Sequence, residues 1–379
     1  MCLLCSYLLI FIAFTFTCSC TGGNQSSEMV FSPEKMIKIQ DKISKDEIED
    51  LIVLDSYIPL SNDYLLGESQ RIVIYKERIY ILDDEPKITC FNMQGNAMFK
   101  IDSKGPGPTE YQNIKDFAID SDSERIVLFD NERRQLNFHE LKTGKFMSSI
   151  PTHYMAPTEI GMVDGKFFFK NMDTRFDVQK EHQFYLLYST DGRQIDEMFL
   201  PHDAVASFNF DMNSFFYNEG KLLFVSPFDN TVYSLTKGHI APAFEIMLPN
   251  PLPMKRIEEK MRHIEIPASG YSYGIDNVYT TKRTLHFTFV KDRFIVSNFI
   301  DLPTQNILYS GIRVLGNSRK QLPVYSLIDG TYNGKFFSLV SASSIVERRS
   351  TDPDYFPGKL LNINEEDNGV LAFFIVKDL

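Results

Sequence analysis

Tryptophan is absent, and only five cysteines occur in 379 residues, four of them (Cys2, Cys5, Cys18, Cys20) within the first twenty. The remaining Cys90 can form neither an intramolecular disulfide nor a cysteine-rich zinc site. It sits in the apolar run Ile88-Thr-Cys-Phe91 and reads as a small buried residue. The seven histidines, at 139, 153, 182, 202, 239, 263 and 286, show no metal-ligand spacing. No phosphate loop and no dinucleotide fingerprint is found. Positive charge is also short: 39 Lys and Arg against 50 Asp and Glu give a net charge of -11, with no long basic run. Binding a phosphate backbone requires clustered cations, so nucleic acid is excluded as a partner.

Long apolar runs are missing as well. The longest, Leu3 to Phe16, is too short to span a bilayer but suits the core of a signal peptide. It ends in Thr17-Cys18-Ser19-Cys20-Thr21-Gly22-Gly23, and a cysteine after a small residue there resembles a bacterial lipoprotein cleavage site. Residues 1–19 are therefore expected to be a lipoprotein signal peptide with Cys20 as the acylated residue; Cys18 is the second choice, and a plain secretory signal is the alternative. Residues 20–51 read as a tether that carries the membrane attachment. Its Met36, Ile39, Ile43, Ile48 and Leu51 are spaced for a short helix.

Abundant instead are 32 Phe and 18 Tyr, residues that fit a pleated, half-buried surface. They fall in short runs separated by tight turns. Arg71–Tyr75 and Arg78–Leu82 flank Lys76-Glu77; Ile88–Phe91 and Ala97–Ile101 flank a turn at Gly95. An aromatic before each glycine turn recurs at Phe91, Phe138, Tyr188, Tyr233 and Tyr309, in steps of 47, 50, 45 and 76. The first three steps match a four-stranded propeller blade. The long step contains the Pro-rich, charged stretch from about 249 to 277, read as an insertion. The expected fold is all-β: a six-bladed β-propeller of four-stranded antiparallel blades over 52–379, with Asp55–Leu60 completing the last blade.

Three stretches carry a family resemblance: Leu54-Asp-Ser-Tyr-Ile-Pro-Leu60, Arg78-Ile-Tyr-Ile-Leu-Asp83, and Lys104-Gly-Pro-Gly-Pro-Thr-Glu-Tyr111 followed by Ile114-Lys-Asp-Phe-Ala-Ile-Asp120. The chain resembles the six-bladed propeller lipoproteins of Bacteroidetes, distantly related to NHL-repeat propellers. The resemblance implies the fold and an outer-membrane lipoprotein, periplasmic or surface-facing. It fixes no activity, because fold does not determine function.

Candidate chemistry is sparse. Asp83, Asp130, Asn171, Asp229 and Asn298 end strands; they either form a polar ring at the channel mouth or cap their own turns. Lys104, Glu110 and Tyr111 either project into the funnel as ligand contacts or belong to a structural turn. Gly270-Tyr-Ser-Tyr-Gly274 matches G-x-S-x-G but lacks the strand–turn–helix setting of a serine hydrolase. The reading is a membrane-anchored, non-catalytic scaffold for a protein or glycan-derived ligand, with no cofactor and no metal. The alternative is an envelope enzyme working from the funnel, a metal-dependent lactonase or a glycan lyase or hydrolase.

Overall fold

The computed structural model describes residues 36–41, 51–152, 158–171, 183–202, 213–218, 220–226, 229–253, 270–312, 328–351 and 358–377. The expected leader (1–19) and Cys20 lie outside them, as do His153, His182 and His263. Two strands precede the first blade: β1 (Met36–Lys38) and β2 (Ile52–Pro59). Blade one comprises β3 (Ser69–Tyr75), β4 (Arg78–Asp83), β5 (Ile88–Asn92) and β6 (Ala97–Ile101). Blade two comprises β7 (Ile114–Asp120), β8 (Arg125–Asp130), β9 (Gln135–Glu140) and β10 (Phe146–Pro151). Blade three has β11 (Glu159–Val163), β12 (Lys166–Lys170), β13 (Gln183–Ser189) and β14 (Glu197–His202). Blade four has β15 (Phe215–Asn218), β16 (Lys221–Val225), β17 (Thr231–Thr236) and β18 (His239–Met247). Blade five has β19 (Ser272–Thr280), β20 (Thr284–Lys291), β21 (Phe294–Asp301) and β22 (Ile307–Gly311). Blade six is β23 (Gly330–Tyr332), β24 (Lys335–Val340), β25 (Val370–Val376) and, as its outer strand, β2.

The fold is thus a six-bladed β-propeller of four-stranded antiparallel sheets. The ring closes where β2 pairs antiparallel with β25, from Ile52 opposite Val376 to Pro59 opposite Val370. Gly95 shows how tightly the closing strand is held. Its φ is +83°, and a Cβ there would stand 2.0 Å from the Pro59 carbonyl oxygen. In the Lys76-Glu77 turn both residues take positive φ, 46° and 56°, which matches the twist of the flanking strands.

The apolar core lies between blades rather than within them. Tyr80, Ile88 and Cys90 of blade one pack with Phe117, Ile126 and Leu128 of blade two. Phe129 and Phe138 of blade two meet Phe167 and Phe169 of blade three. Leu371 and Phe373 of blade six meet Ile79 and Phe91 of blade one. Each sheet buries its face only against a neighbour, so the closed ring is the stable unit.

Three expectations change. The helical spacing at residues 36–51 gives way to β1, which pairs parallel with β18 and extends blade four to five strands. Ile37 and Ile39 are buried there while Lys38 is exposed, an alternation of period two. Residues 42–50 lie outside the description. The insertion expected to run to about 277 ends earlier, because Ser272–Thr280 is the inner strand of blade five. Lastly, a ten-residue helix, α1 (Ala342–Thr351), interrupts blade six between β24 and β25, with Ile345 fully buried.

Candidate functional site

The first strand of each blade lines the axis. The turns joining first and second strands define a front face, and those joining second and third strands define a rear face. A cavity of about 810 Å³ opens on the front face, walled by the ends of all six inner strands and their turns. Its wall carries four half-buried tyrosines: Tyr75 of blade one, Tyr217 of blade four, Tyr279 of blade five and Tyr332 of blade six. Lys76, Lys221 and Lys282 stand exposed at its rim. Blades two and three contribute Ile119, Ser121, Met162 and Asp164 instead.

Behind this cavity a polar network crosses the axis. Arg71 of blade one places Nε 2.9 Å from Asp116 Oδ1 of blade two and Nη2 3.2 Å from Glu159 Oε2 of blade three. Lys170 Nζ lies 2.5 Å from Glu159 Oε1. The carboxylates also accept backbone amides of the next blade: Ile160 N donates to Asp116, and Ser214 N donates to Glu159, each at 2.8 Å. Asn218 and Asn277 repeat the device, accepting Thr280 N at 2.6 Å and Ile328 N at 3.0 Å. Side chains near the axis therefore tie blade two to three, three to four, four to five and five to six.

Local backbone irregularity aims several of these groups. The register shifts between Ser69 and Arg71, between Ile114 and Asp116, and on both sides of Asp276. A bulge re-aims a side chain that regular alternation would point elsewhere.

Burial sets the charge states. It pushes Asp116 up to about 6, aided by Glu159 and opposed by Arg71. Glu159 is also raised by burial, but Lys170 and then Arg71 outweigh this and hold it below the ordinary value. Two carboxyls that form no ion pair among the described residues behave differently, although the more distant Lys170 also lowers Asp276. Burial lifts Asp276 to about 7 and Asp329 to about 6, against single amide bonds from Asn277 and Leu339. Burial likewise raises the Tyr217 and Tyr279 phenols, so both remain neutral hydroxyls.

The residues singled out in the sequence lie elsewhere. Asp83 and Asp130 end second strands on the rear face, opposite the cavity, and both are fully buried. Asp83 accepts amides from Gly67 at 3.0 Å and Glu85 at 3.2 Å. Asp130 accepts Gln112 N at 2.8 Å and Arg133 N at 3.1 Å. Each carboxylate therefore fastens the segment leading into the inner strand to a rear turn, the capping alternative. Asn171 donates to the Phe184 carbonyl at 3.0 Å, and Asp229 accepts Thr231 N at 2.9 Å. Asn298 is buried within β21, bonded to the Val296 and Phe287 carbonyls.

The Lys104–Tyr111 turn is also on the rear face and is braced internally. Gly107 N donates to Glu110 at 2.6 Å, and Arg133 donates to the Gly105 and Gly107 carbonyls, both at 2.8 Å. Tyr111 is buried in the core between blades one and two, while Lys104 is exposed. Ser272 opens β19 with its hydroxyl buried and unpartnered; a strand, not a helix, follows it. Among the described residues no group of three or more His, Cys, Asp or Glu is placed to hold a metal ion.

Sequence reading missed the axial set Arg71, Asp116, Glu159, Asp276 and Asp329. A signal existed: an ionisable residue at or near the start of an apolar inner strand in four of the blades, and in the middle of that strand, at Asp276, in a fifth.

These features define a class: a closed six-bladed propeller with a tyrosine-walled axial cavity and a charged network across the axis behind it. Within that class the chain belongs to the family described as a domain of unknown function, DUF4934, which matches residues 34–374. A presumptive exported protein of Bacteroides fragilis has a similar structure, with TM-score 0.76 and 17% identity over 91% of this chain and 99% of that one. A DUF4221-family member from Bacteroides vulgatus aligns at TM-score 0.47 and 10% identity, over 86% and 98% of the two chains. A virginiamycin B lyase of Staphylococcus aureus aligns at TM-score 0.43 and 16% identity, over 74% and 80%. No curated protein matches the sequence.

Proposed function

We propose that this protein is an exported, lipid-anchored component of the bacterial outer membrane that binds a glycan-derived ligand in its front cavity without transforming it. The observation that carries the reading is the cavity of about 810 Å³ walled by four tyrosines from four blades. That volume falls in the range of small-molecule sites, and a tyrosine carries a flat apolar ring with a hydroxyl at its edge; the Tyr217 hydroxyl already accepts the Met162 amide at 3.2 Å, so that residue contributes chiefly its ring. Such a wall can stack on sugar faces and bond their hydroxyls. The exported character of the Bacteroides fragilis relative is consistent with an envelope address, and the apolar run ending at Ser19-Cys20 supports the lipid anchor.

Calorimetric titration of the purified protein against an envelope-glycan panel tests the binding. Tyr332→Ala and Tyr75→Ala should each weaken a glycan ligand about tenfold. Glycan binding indifferent to both would remove the cavity as the site. Binding confined to proteins would leave the propeller as an interaction scaffold. Loss of palmitate labelling in Cys20→Ala tests the anchor separately.

A further inference from the structure

The cavity is unevenly furnished. On blades one, four and five the inner strand brings a tyrosine to the wall, and the adjoining turn or the first residue of the second strand brings a lysine to the rim: Tyr75 with Lys76, Tyr217 with Lys221, Tyr279 with Lys282. Blade six supplies Tyr332, its Lys335 being drawn to Asp55 at 2.5 Å. The arc from blade four through five and six to one is thus aromatic with a cationic rim, whereas blades two and three present Ile119, Met162 and Asp164. Lys221 and Lys282 sit on adjacent blades, and both are exposed. Lys76 shares its charge with Glu124, 2.5 Å away. Two acids also line the cavity, Asp164 of blade three and Asp329 of blade six, so the positive charge is local to the adjoining Lys221 and Lys282, and in a chain whose net charge is -11 it is this pair that favours an anion.

An aromatic wall with an ammonium group beside it, repeated blade by blade, matches a ligand that repeats a flat apolar face and an anionic substituent. Resting on the proposed glycan reading and narrowing it, we infer that the cavity selects acidic oligosaccharides, with sugar rings against Tyr217, Tyr279 and Tyr332 and carboxylate or sulfate groups paired to Lys221 and Lys282. The lysines act as rim charges, so they contribute preference more than total affinity, and that preference weakens with salt.

The test compares tetragalacturonate, a sulfated heparin tetrasaccharide and neutral maltotetraose by calorimetry at neutral pH. The acidic probes should bind tighter than maltotetraose. The doubly substituted Lys221→Gln, Lys282→Gln protein should lose about fivefold toward them and nothing toward maltotetraose. Response to only one acidic probe identifies carboxylate or sulfate as the recognised group and supports the inference. Equal binding of acidic and neutral probes, unchanged in the lysine variant but weakened by Tyr332→Ala, overturns the acidic preference and leaves the glycan reading standing. Failure of all three probes to bind, or binding untouched by Tyr332→Ala, overturns both. Both lysines are exposed, so the variant should unfold as the parent does.

Discussion

Arg71 reaches past its neighbouring blade: from the inner strand of blade one it contacts Glu159 of blade three, with Nη2 3.2 Å from Oε2. Only a side chain projecting toward the axis can touch a blade two places away. Asp116 of the skipped blade is held on the way, so one guanidinium binds three blades together. Its Nη1 is buried without a protein partner.

Replacing that guanidinium should be costly. Arg71→Met leaves Asp116 Oδ1 facing no cation in a buried setting, and the expected loss is about 3 kcal/mol in urea denaturation. Arg71→Lys should recover part of it, since a point charge can satisfy one carboxylate but not both. A variant within about 0.5 kcal/mol of the parent would show that the network adds nothing to stability.

Asp276 gives a pH signature. Its folded pKa of about 7 stands above the unfolded value near 3.9. Its contribution is therefore complete below about pH 4 and is lost as pH rises through about 7. Relative to Asp276→Asn, the parent should lose stability across that window and level off above about pH 8. A stability difference that does not vary with pH would mean the carboxyl is not raised.

His286 has the opposite sign. It is buried between Phe299 and Phe336, with Nδ1 3.0 Å from the Asn277 carbonyl oxygen and Nε2 2.8 Å from Ser297 Oγ. Burial drives its pKa down to about 3, against the Asn277 bond. Its contribution is present above the unfolded value near 6.5 and is lost as pH falls toward 3. The ring carbons should show no NMR titration between pH 5 and 8; a midpoint near 6.5 would place the ring in solvent.

Two rear-face substitutions should differ in kind. Asp130→Ala strands amide donors at Gln112 and Arg133, and should cost about 2 kcal/mol or more without changing ligand affinity. Ser272→Ala removes a buried hydroxyl that has no partner and should be neutral or slightly stabilising in the same denaturation assay.

Turn chemistry made the blades legible. Lys76-Glu77 and Gly95 sit where alternating runs reverse, and the aromatic before the glycine turn marks the third strand in blades one to four. Blade five broke the count because Tyr309 lies in its fourth strand, β22; Phe299 of β21 occupies the corresponding third strand. Met36–Lys38 was misread because three residues fit either period, and pairing with β18, some two hundred positions away, decided the matter. The axial network was hidden for a related reason. Arg71 and Glu159 are 88 positions apart, and the shifts beside Arg71, Asp116 and Asp276 interrupt the alternation that would announce their direction. Asp83 and Asp130 were conspicuous because strand-ending acids are frequent, and frequent because they hold turns.

The parallel seating of Met36–Lys38 against blade four has a mechanical consequence. A pull arriving from the N-terminal side meets the β1–β18 pairs, from Met36 opposite Glu245 to Lys38 opposite Met247, before it reaches Ile52–Pro59. The clasp that shuts the ring is therefore second in line, behind an outer strand only three registers long. Tension from that side would first detach a short ribbon from the flank of blade four, while the six-sheet circle stayed locked.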